Sequence, residues 1–240
     1  MIKFSVLMSV YKKEQKENLK KALDSVINQT LVPNEIILVE DGPLTKELYE
    51  VIEEYQKKYD YFKVISLEKN MGLGKALNEG LKKCSYKYVA RMDTDDYALP
   101  DRFEKQIQFL GKNPKVVLLG GNIIEFDEKL ENIISKKNVP SLKEDIVKYA
   151  KSRNPFNHMT VIFDKDAILE CGSYETMFYF EDYYLWCKLI AKNYEVRNLE
   201  DVLVHVRAGD SMIKRRGGFS YIKNIIDFEK SIKKLGIINT

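Results

Sequence analysis

Tyr86-Lys87-Tyr88-Val89-Ala90-Arg91-Met92-Asp93-Thr94-Asp95-Asp96 is a strand-like, largely apolar run that ends in a cluster of carboxylates. An extended segment sends alternate side chains to the same face, so Asp93 and Asp95 can meet one ion. Hard carboxylate oxygens suit Mg2+ or Mn2+, which bind few protein ligands and take substrate phosphates and water for the rest. An isolated Asp-x-Asp triplet fits a solvated acidic turn equally well, with Asp96 capping a following helix. The segments upstream decide what kind of chain carries it.

Working outward, Phe4 to Val10 reads as a buried first strand, and Asn18 to Ile27 has helical spacing through Leu19, Ala22, Leu23, Val26 and Ile27. Pro33 marks the return to a second strand, Glu35 to Val39. Leu48 to Tyr59 is helical, Phe62 to Leu67 a strand, Lys75 to Lys83 a helix, and Tyr86 to Met92 the next strand. Strands alternating with helices predict βαβ units and a mostly parallel sheet, and such sheets bind ligands at the carboxyl ends of their strands. The unusual polar residues stand at those ends: Ser9 and Tyr11, then Glu40-Asp41-Gly42, then Asn70-Met71-Gly72-Leu73-Gly74, then Asp93 to Asp96.

The second half is less regular. Val116 to Gly120 and Asn122 to Phe126 read as two strands around a Gly-Gly break. Leu142 to Ala150 and Glu181 to Ala191 read as helices, Met159 to Phe163 and Val202 to Val206 as strands, and Phe219 to Leu235 as a basic amphipathic segment. At 240 residues with 45% hydrophobic and 31% charged, the composition is globular, and a net charge of +3 is too small to argue for nucleic acid. The basic character lies in the tail, where seven Lys and Arg from Ser211 onward face Asp227 and Glu229. Cys84, Cys171 and Cys187 have no metal-ligand spacing and read as reduced, buried thiols of a cytoplasmic protein. No apolar run reaches membrane-spanning length, the N-terminal one included.

Several residues admit two readings on chemistry alone. Asp41 can accept a hydrogen bond from a base imide or serve an Asp-Gly-Pro turn. Gly72 and Lys75 open a helix, which favours an anion or only caps the helix, and the Gly-Lys-Ser/Thr ending of a P-loop is missing. Glu181-Asp182, after Phe178-Tyr179-Phe180, is either a complement to a helix dipole or a partly desolvated general base. His158 and His205 read first as structural histidines.

Together these segments resemble the family 2 glycosyltransferases. The motifs occur in order: Ser5 to Tyr11, Glu40-Asp41-Gly42, Asn70 to Gly80, Ala90 to Arg102, and Glu181-Asp182-x-x-Leu185-Trp186. The similarity runs from Phe4 to about Gly218 and is nearest to the branch that builds bacterial capsule, O-antigen and exopolysaccharide repeat units. It implies an α/β GT-A fold: a Rossmann-like, mostly parallel central sheet with helices on both faces, a small acceptor-side region and a terminal amphipathic helix. Residues 1–218 would form one domain, with 1–100 the nucleotide-sugar half and 101–218 the acceptor half, followed by a basic tail at 219–240.

The resemblance also implies roles. Asp41 would hold the base, usually uracil, with Ser9, Val10 and Tyr11 lining its pocket. Gly72, Lys75, Asn78, Arg91 and Thr94 would serve the nucleotide sugar, and Arg215 and Arg216 its diphosphate. Asp95 would be the main ligand of Mn2+ or Mg2+, with Asp93 shared between metal and ribose. Asp182 would deprotonate the acceptor hydroxyl with Glu181 beside it, and His158 and Trp186 would lie on the acceptor side. The expected reaction transfers one sugar, with inversion, from a UDP-sugar to a lipid-linked saccharide. The tail would either rest on the inner face of the cytoplasmic membrane or pack on the sheet. The chain lacks the Gln-x-x-Arg-Trp pattern of processive synthases, which favours single transfers. A sugar-nucleotide nucleotidyltransferase would carry a glycine-rich loop after the first strand, where this chain has Tyr11-Lys12-Lys13-Glu14. A nucleotide-binding partner protein without activity would not need both acid pairs.

Overall fold

A computed structural model describes residues 2–208 and 219–238. In chain order the elements are β1 (Phe4–Val10), α1 (Lys16–Ile27), β2 (Glu35–Glu40), α2 (Lys46–Lys58), β3 (Phe62–Ser66), α3 (Leu73–Lys83), β4 (Tyr88–Arg91), β5 (Tyr97–Ala98) and α4 (Arg102–Lys112). There follow β6 (Val116–Phe126), β7 (Ile133–Lys137), α5 (Lys143–Tyr149), a 3-10 turn at His158–Thr160, β8 (Ile162–Asp164), α6 (Lys165–Glu170), α7 (Glu181–Ala191) and β9 (Glu195–Arg207). The final helix, α8, is Phe219–Lys234.

β1 is buried along nearly its whole length because it lies inside the sheet and is covered on both faces. Its even-numbered side chains, Phe4, Val6, Met8 and Val10, share one apolar cluster with Leu19, Leu23 and Val26 of α1, Val51 of α2 and Phe103 of α4. On the other face Leu7 joins Ile37, Val39 and Val89 under Ala76 and Leu77 of α3 and Leu185 and Trp186 of α7. Burial of each such side chain contributes about 1.5–3 kcal/mol. The strand order is β3-β2-β1-β4-β8-β6-β9-β5, with β7 beside β6. β1 runs parallel to β2 and β4, and β2 parallel to β3. β8 lies antiparallel between β4 and β6, while β6 and β9 are parallel.

The second half departs from the sequence reading. Gly120 and Gly121 do not break a strand, since β6 runs through them. A Cβ at Gly120 would sit 2.4 Å from Asn198 Oδ1, and one at Gly121 would sit 2.4 Å from Leu203 Cδ1. The pair lets β9 side chains lie close over β6, and the β6–β9 register shifts there. β8 is shorter than the expected strand because Thr160, in the preceding 3-10 turn, places its hydroxyl 3.1 Å from the Gly121 N–H it accepts from. β9 begins at Glu195, well before Val202. The three cysteines are buried free thiols.

α8 is packed on the protein. Phe228, Ile232 and, just beyond the helix, Ile237 are buried in the same apolar cluster as α7. No helix among the described residues is long and apolar enough to cross a membrane.

One buried carboxylate ties the first strands together. Glu35, 2% exposed, accepts hydrogen bonds from Ser5 Oγ (2.6 Å), Lys63 Nζ (2.7 Å), Ser85 N (2.8 Å) and Ser85 Oγ (2.7 Å). Burial alone would raise its pKa, but the bonds from Lys63, Ser5 and Ser85 outweigh it and lower the value from 4.5 to about 2. A depressed folded-state pKa gives stability that is present above about 4.5 and lost as pH falls toward about 2. Glu35→Gln is therefore expected to lose about 3 kcal/mol at neutral pH by urea unfolding. The difference from the parent should shrink as the pH is lowered through that window, and a difference independent of pH would contradict the assignment.

Candidate active site

The register sets the edge. Val10 pairs with Glu40 and Glu40 with Ser66, so β1, β2 and β3 finish side by side. Asp41 follows β2, and its N–H donates to Val10 O at 2.8 Å. Its buried carboxylate accepts from Met71 N (2.6 Å) and Gly72 N (3.0 Å), which ties the second strand end to the third. Gly42 makes that approach possible: its φ is +84°, and a Cβ there would lie 2.4 Å from Asn70 N. Gly72, at φ +87°, turns the chain into α3, whose first turn carries the exposed Lys75.

α3 connects this edge to the later half of the chain. Asn78 donates to Tyr174 O (2.6 Å) and accepts from Ser173 Oγ (2.5 Å) and Tyr174 N (3.1 Å). These bonds make Asn78 a clamp on the loop before α7. A Cβ at Gly74 would lie 3.3 Å from Glu181 Cγ, so the start of α3 lies against the start of α7.

The acid segment leaves β4 next to β1. Arg91 pairs with Leu7, and Met92 N donates to Leu7 O at 3.2 Å. Arg91 is fully buried, and its guanidinium donates to the Asp93 carboxylate and to Met92 O. Arg91 therefore holds Asp93 in place from below. Arg102, also fully buried, donates to Arg91 O at 2.7 Å, and burial together with the Arg91 charge pulls its pKa down to about 9. The Thr94 hydroxyl shares its proton between Ser9 O (3.3 Å) and Glu14 Oε2 (3.1 Å). Burial, with Asp93 and Glu14 nearby, pushes the Asp95 carboxyl up to about 7. Asp96 is buried and raised as well, first by burial and then by Asp95 and Asp93. Asp96 caps no helix: it accepts the Arg207 N–H at 3.0 Å, while Arg207 Nε donates to Asp95 O at 2.6 Å.

The donor set fits a hard divalent cation. Asp93, Asp95 and Glu14 are carboxylates whose closeness works against ionisation at Asp95, and a cation would relieve that repulsion. Among the described residues no group of three or more His, Cys, Asp or Glu side chains could hold a metal alone. An ion at Asp95 would need ligands from a substrate, as Mg2+ sites commonly do.

The second acid pair opens α7. Burial raises the Glu181 pKa, with the Asp182 charge adding to it. Asp182 Oδ2 accepts from Asn154 Nδ2 at 2.7 Å. His158 Nε2 lies 2.9 Å from Tyr174 Oη, and burial, with the Arg91 charge, lowers its pKa to about 4, so the ring is neutral.

Two expected site residues belong to the core. Trp186 is fully buried against Phe156 and His158, so it packs in the core and cannot touch a bound substrate. The Val10 side chain is buried on the α1 face, and only its backbone reaches the strand edge. Ser9 is half-buried and Tyr11 exposed at that edge. Arg215 and Arg216 lie outside the described residues. Sequence reasoning gave no role to Glu14, Asn154, Tyr174 or Arg207. Glu14 follows the first strand end by four residues, which is the signal that could have found it. A shallow groove of about 550 Å³ between Ile2, Leu31 and Ile107 lies by the amino end of β1, away from all of these groups.

The family profile described as "Glycosyl transferase family 2" matches residues 5–178. The amylovoran biosynthesis glycosyltransferase AmsE of Erwinia amylovora is 45% identical over 98% of this chain and 88% of its own length. The UDP-Gal:alpha-D-GlcNAc-diphosphoundecaprenol beta-1,3-galactosyltransferase of Escherichia coli is 42% identical over 91% of this chain and 79% of its own. Among solved structures, S. aureus TarS 1-349 in complex with UDP aligns with a TM-score of 0.73 at 18% identity, which speaks to fold alone. That alignment covers 98% of this chain and 65% of the TarS chain, so this chain spans less than two thirds of it.

Proposed function

This chain belongs to glycosyl transferase family 2, and on that premise we propose that it transfers one sugar from a UDP-sugar to a lipid-linked saccharide, with inversion, in surface polysaccharide biosynthesis. The observation that carries this reading is the contact between the start of α3 and Glu181, which sets an acid pair beside the Met71–Gly72 turn that holds Asp41, while His158 and Tyr174 feel the charges of both Asp182 and Asp93. A donor at the strand ends would then present its sugar toward Asp182.

On this reading, the Asp41 lone pairs left over by Met71 and Gly72 accept the uracil imide, and Ser9 and Tyr11 border the base. Asp93, fixed by Arg91, faces the ribose and shares with Asp95 the holding of Mn2+ or Mg2+. Such an ion, when bound, neutralises charge on the departing diphosphate. Lys75 adds positive charge at the same edge. Asp182, aligned by Asn154, takes the proton of the acceptor hydroxyl as its oxygen bonds to the anomeric carbon and the carbon–oxygen bond to the diphosphate breaks. A single displacement from the opposite face turns an α-linked donor into a β-linked product. The rival nucleotidyltransferase reading gives way to family membership.

The printed substrates of the Escherichia coli relative, UDP-galactose and an α-GlcNAc-diphospholipid, supply a concrete assay. Asp182→Asn should bind UDP as the parent does and lower kcat by about 100-fold or more. Near-normal turnover would remove Asp182 as the base.

For the lipid acceptor we propose a shallow membrane contact through the outer face of α8. Ile222 (54% exposed) and Ile226 (45%) stand there among the exposed Lys223, Lys230 and Lys233. Removing the helix would also strip Phe228 and Ile232 from the core, so point substitutions are the cleaner probe. Ile222→Ser/Ile226→Ser should lower the fraction sedimenting with phosphatidylglycerol vesicles while leaving Tm unchanged. An undiminished bound fraction would count against the contact.

A further inference from the structure

We infer that Phe228 and Tyr221 of α8 are positioning residues for the Glu181–Asp182 pair, so that the C-terminal helix holds the base in place. The inference rests on the reading of Asp182 as the base. Phe180, the residue that enters α7, gives that helix no side-chain cap, so the orientation of the first turn depends on other contacts. Those contacts are aromatic. The Phe180 ring stacks on Phe228, with centroids 4.7 Å apart and planes at 16°, and on Tyr221 at 6.0 Å and 25°. Tyr183, on the far side of the pair in sequence, has its ring 4.5 Å from Phe228 and donates its hydroxyl to Ala150 O at 2.8 Å. The residues on either side of Glu181 and Asp182 therefore lean on one buried ring, which is 4% exposed.

The turn leading into the pair is held by the same helix. Phe180 N donates to Met177 O at 2.7 Å, and Tyr179 within that turn has φ +73°. A tyrosine at positive φ is strained and persists only where its surroundings hold it. The Tyr179 ring meets Tyr221 edge-on at 5.6 Å. α8 thus constrains the backbone before the pair and the side chains around it. Asn154 and the α3 start hold the pair from the other elements. Small displacements of a catalytic group reduce rate far more than they reduce substrate affinity.

The test uses the full chain with UDP-galactose and the GlcNAc-diphospholipid, and compares Phe228→Ala, Phe228→Leu and Ile232→Ala. Ile232 is buried on the same helix and has none of these aromatic contacts with the start of α7. Phe228→Ala should lower kcat about tenfold with the UDP-galactose KM unchanged, and Phe228→Leu should recover part of the loss. Ile232→Ala should lower Tm comparably and keep its kcat. An equal kcat loss in Ile232→Ala, or none in Phe228→Ala beside an inactive Asp182→Asn, overturns the positioning role alone. An active Asp182→Asn overturns the base assignment instead.

Discussion

Arg91 sits at the end of a central strand with its guanidinium wholly removed from water. An unpaired buried charge costs several kcal/mol, so the chain around it has to supply acceptors. Asp93 and Met92 O do so, and the guanidinium of Arg102 anchors the backbone of the same residue. The turn after β4 is thereby fixed, and with it the direction in which Asp93 and Asp95 leave the sheet. Asp95 and Asp96 remain buried and crowded with like charge, and burial first, then the neighbouring carboxylates, shifts their protonation upward. The buried cation that orders the turn leaves a local excess of carboxylate at the strand ends.

The acid pair at the start of α7 is held by different means. α3 carries the junction: Gly74 lets α7 approach, and Asn78 holds the loop that leads to it. Beneath the acid pair the packing is aromatic, from Trp186, Phe156 and His158 on one side and Phe228 and Tyr221 on the other. The carboxyl edge of the first strands is thus ordered mainly by backbone hydrogen bonds and ion pairs, and the acid pair mainly by rings. A tail that reads as a separate basic segment in the sequence is part of that second arrangement.

The first half of the fold was legible because its strands β1, β2 and β4 are short buried, mostly apolar runs and its helices are apolar on one face, so periodicity separates them. The Asp93, Asp95 and Asp182 candidates were legible because acids at strand and helix ends stand out against that pattern. The second half was less so. α4 has helical spacing in Phe103, Ile107 and Leu110, but its inner face also buries Arg102 and Gln106, which obscures its amphipathic character. β7 exposes Ile133 and Ile134, and β5 has only two residues, too few for a pattern. Trp186 follows a motif position yet faces the core, and the half-buried Asn78 turns to the loop before α7, because a motif records spacing and not which face of a helix meets solvent. The contacts of Asn154 and Arg207 join residues 28 and 112 positions apart, and no local signal reports such pairs.

We propose that Asp95 recruits a divalent ion whose coordination the donor diphosphate would complete. Titration calorimetry of UDP, with and without MnCl2, against the parent chain and Asp95→Ala tests it most directly. Mn2+ is expected to tighten UDP binding to the parent and to leave the affinity of Asp95→Ala unchanged. An equal gain from Mn2+ in both proteins would contradict it.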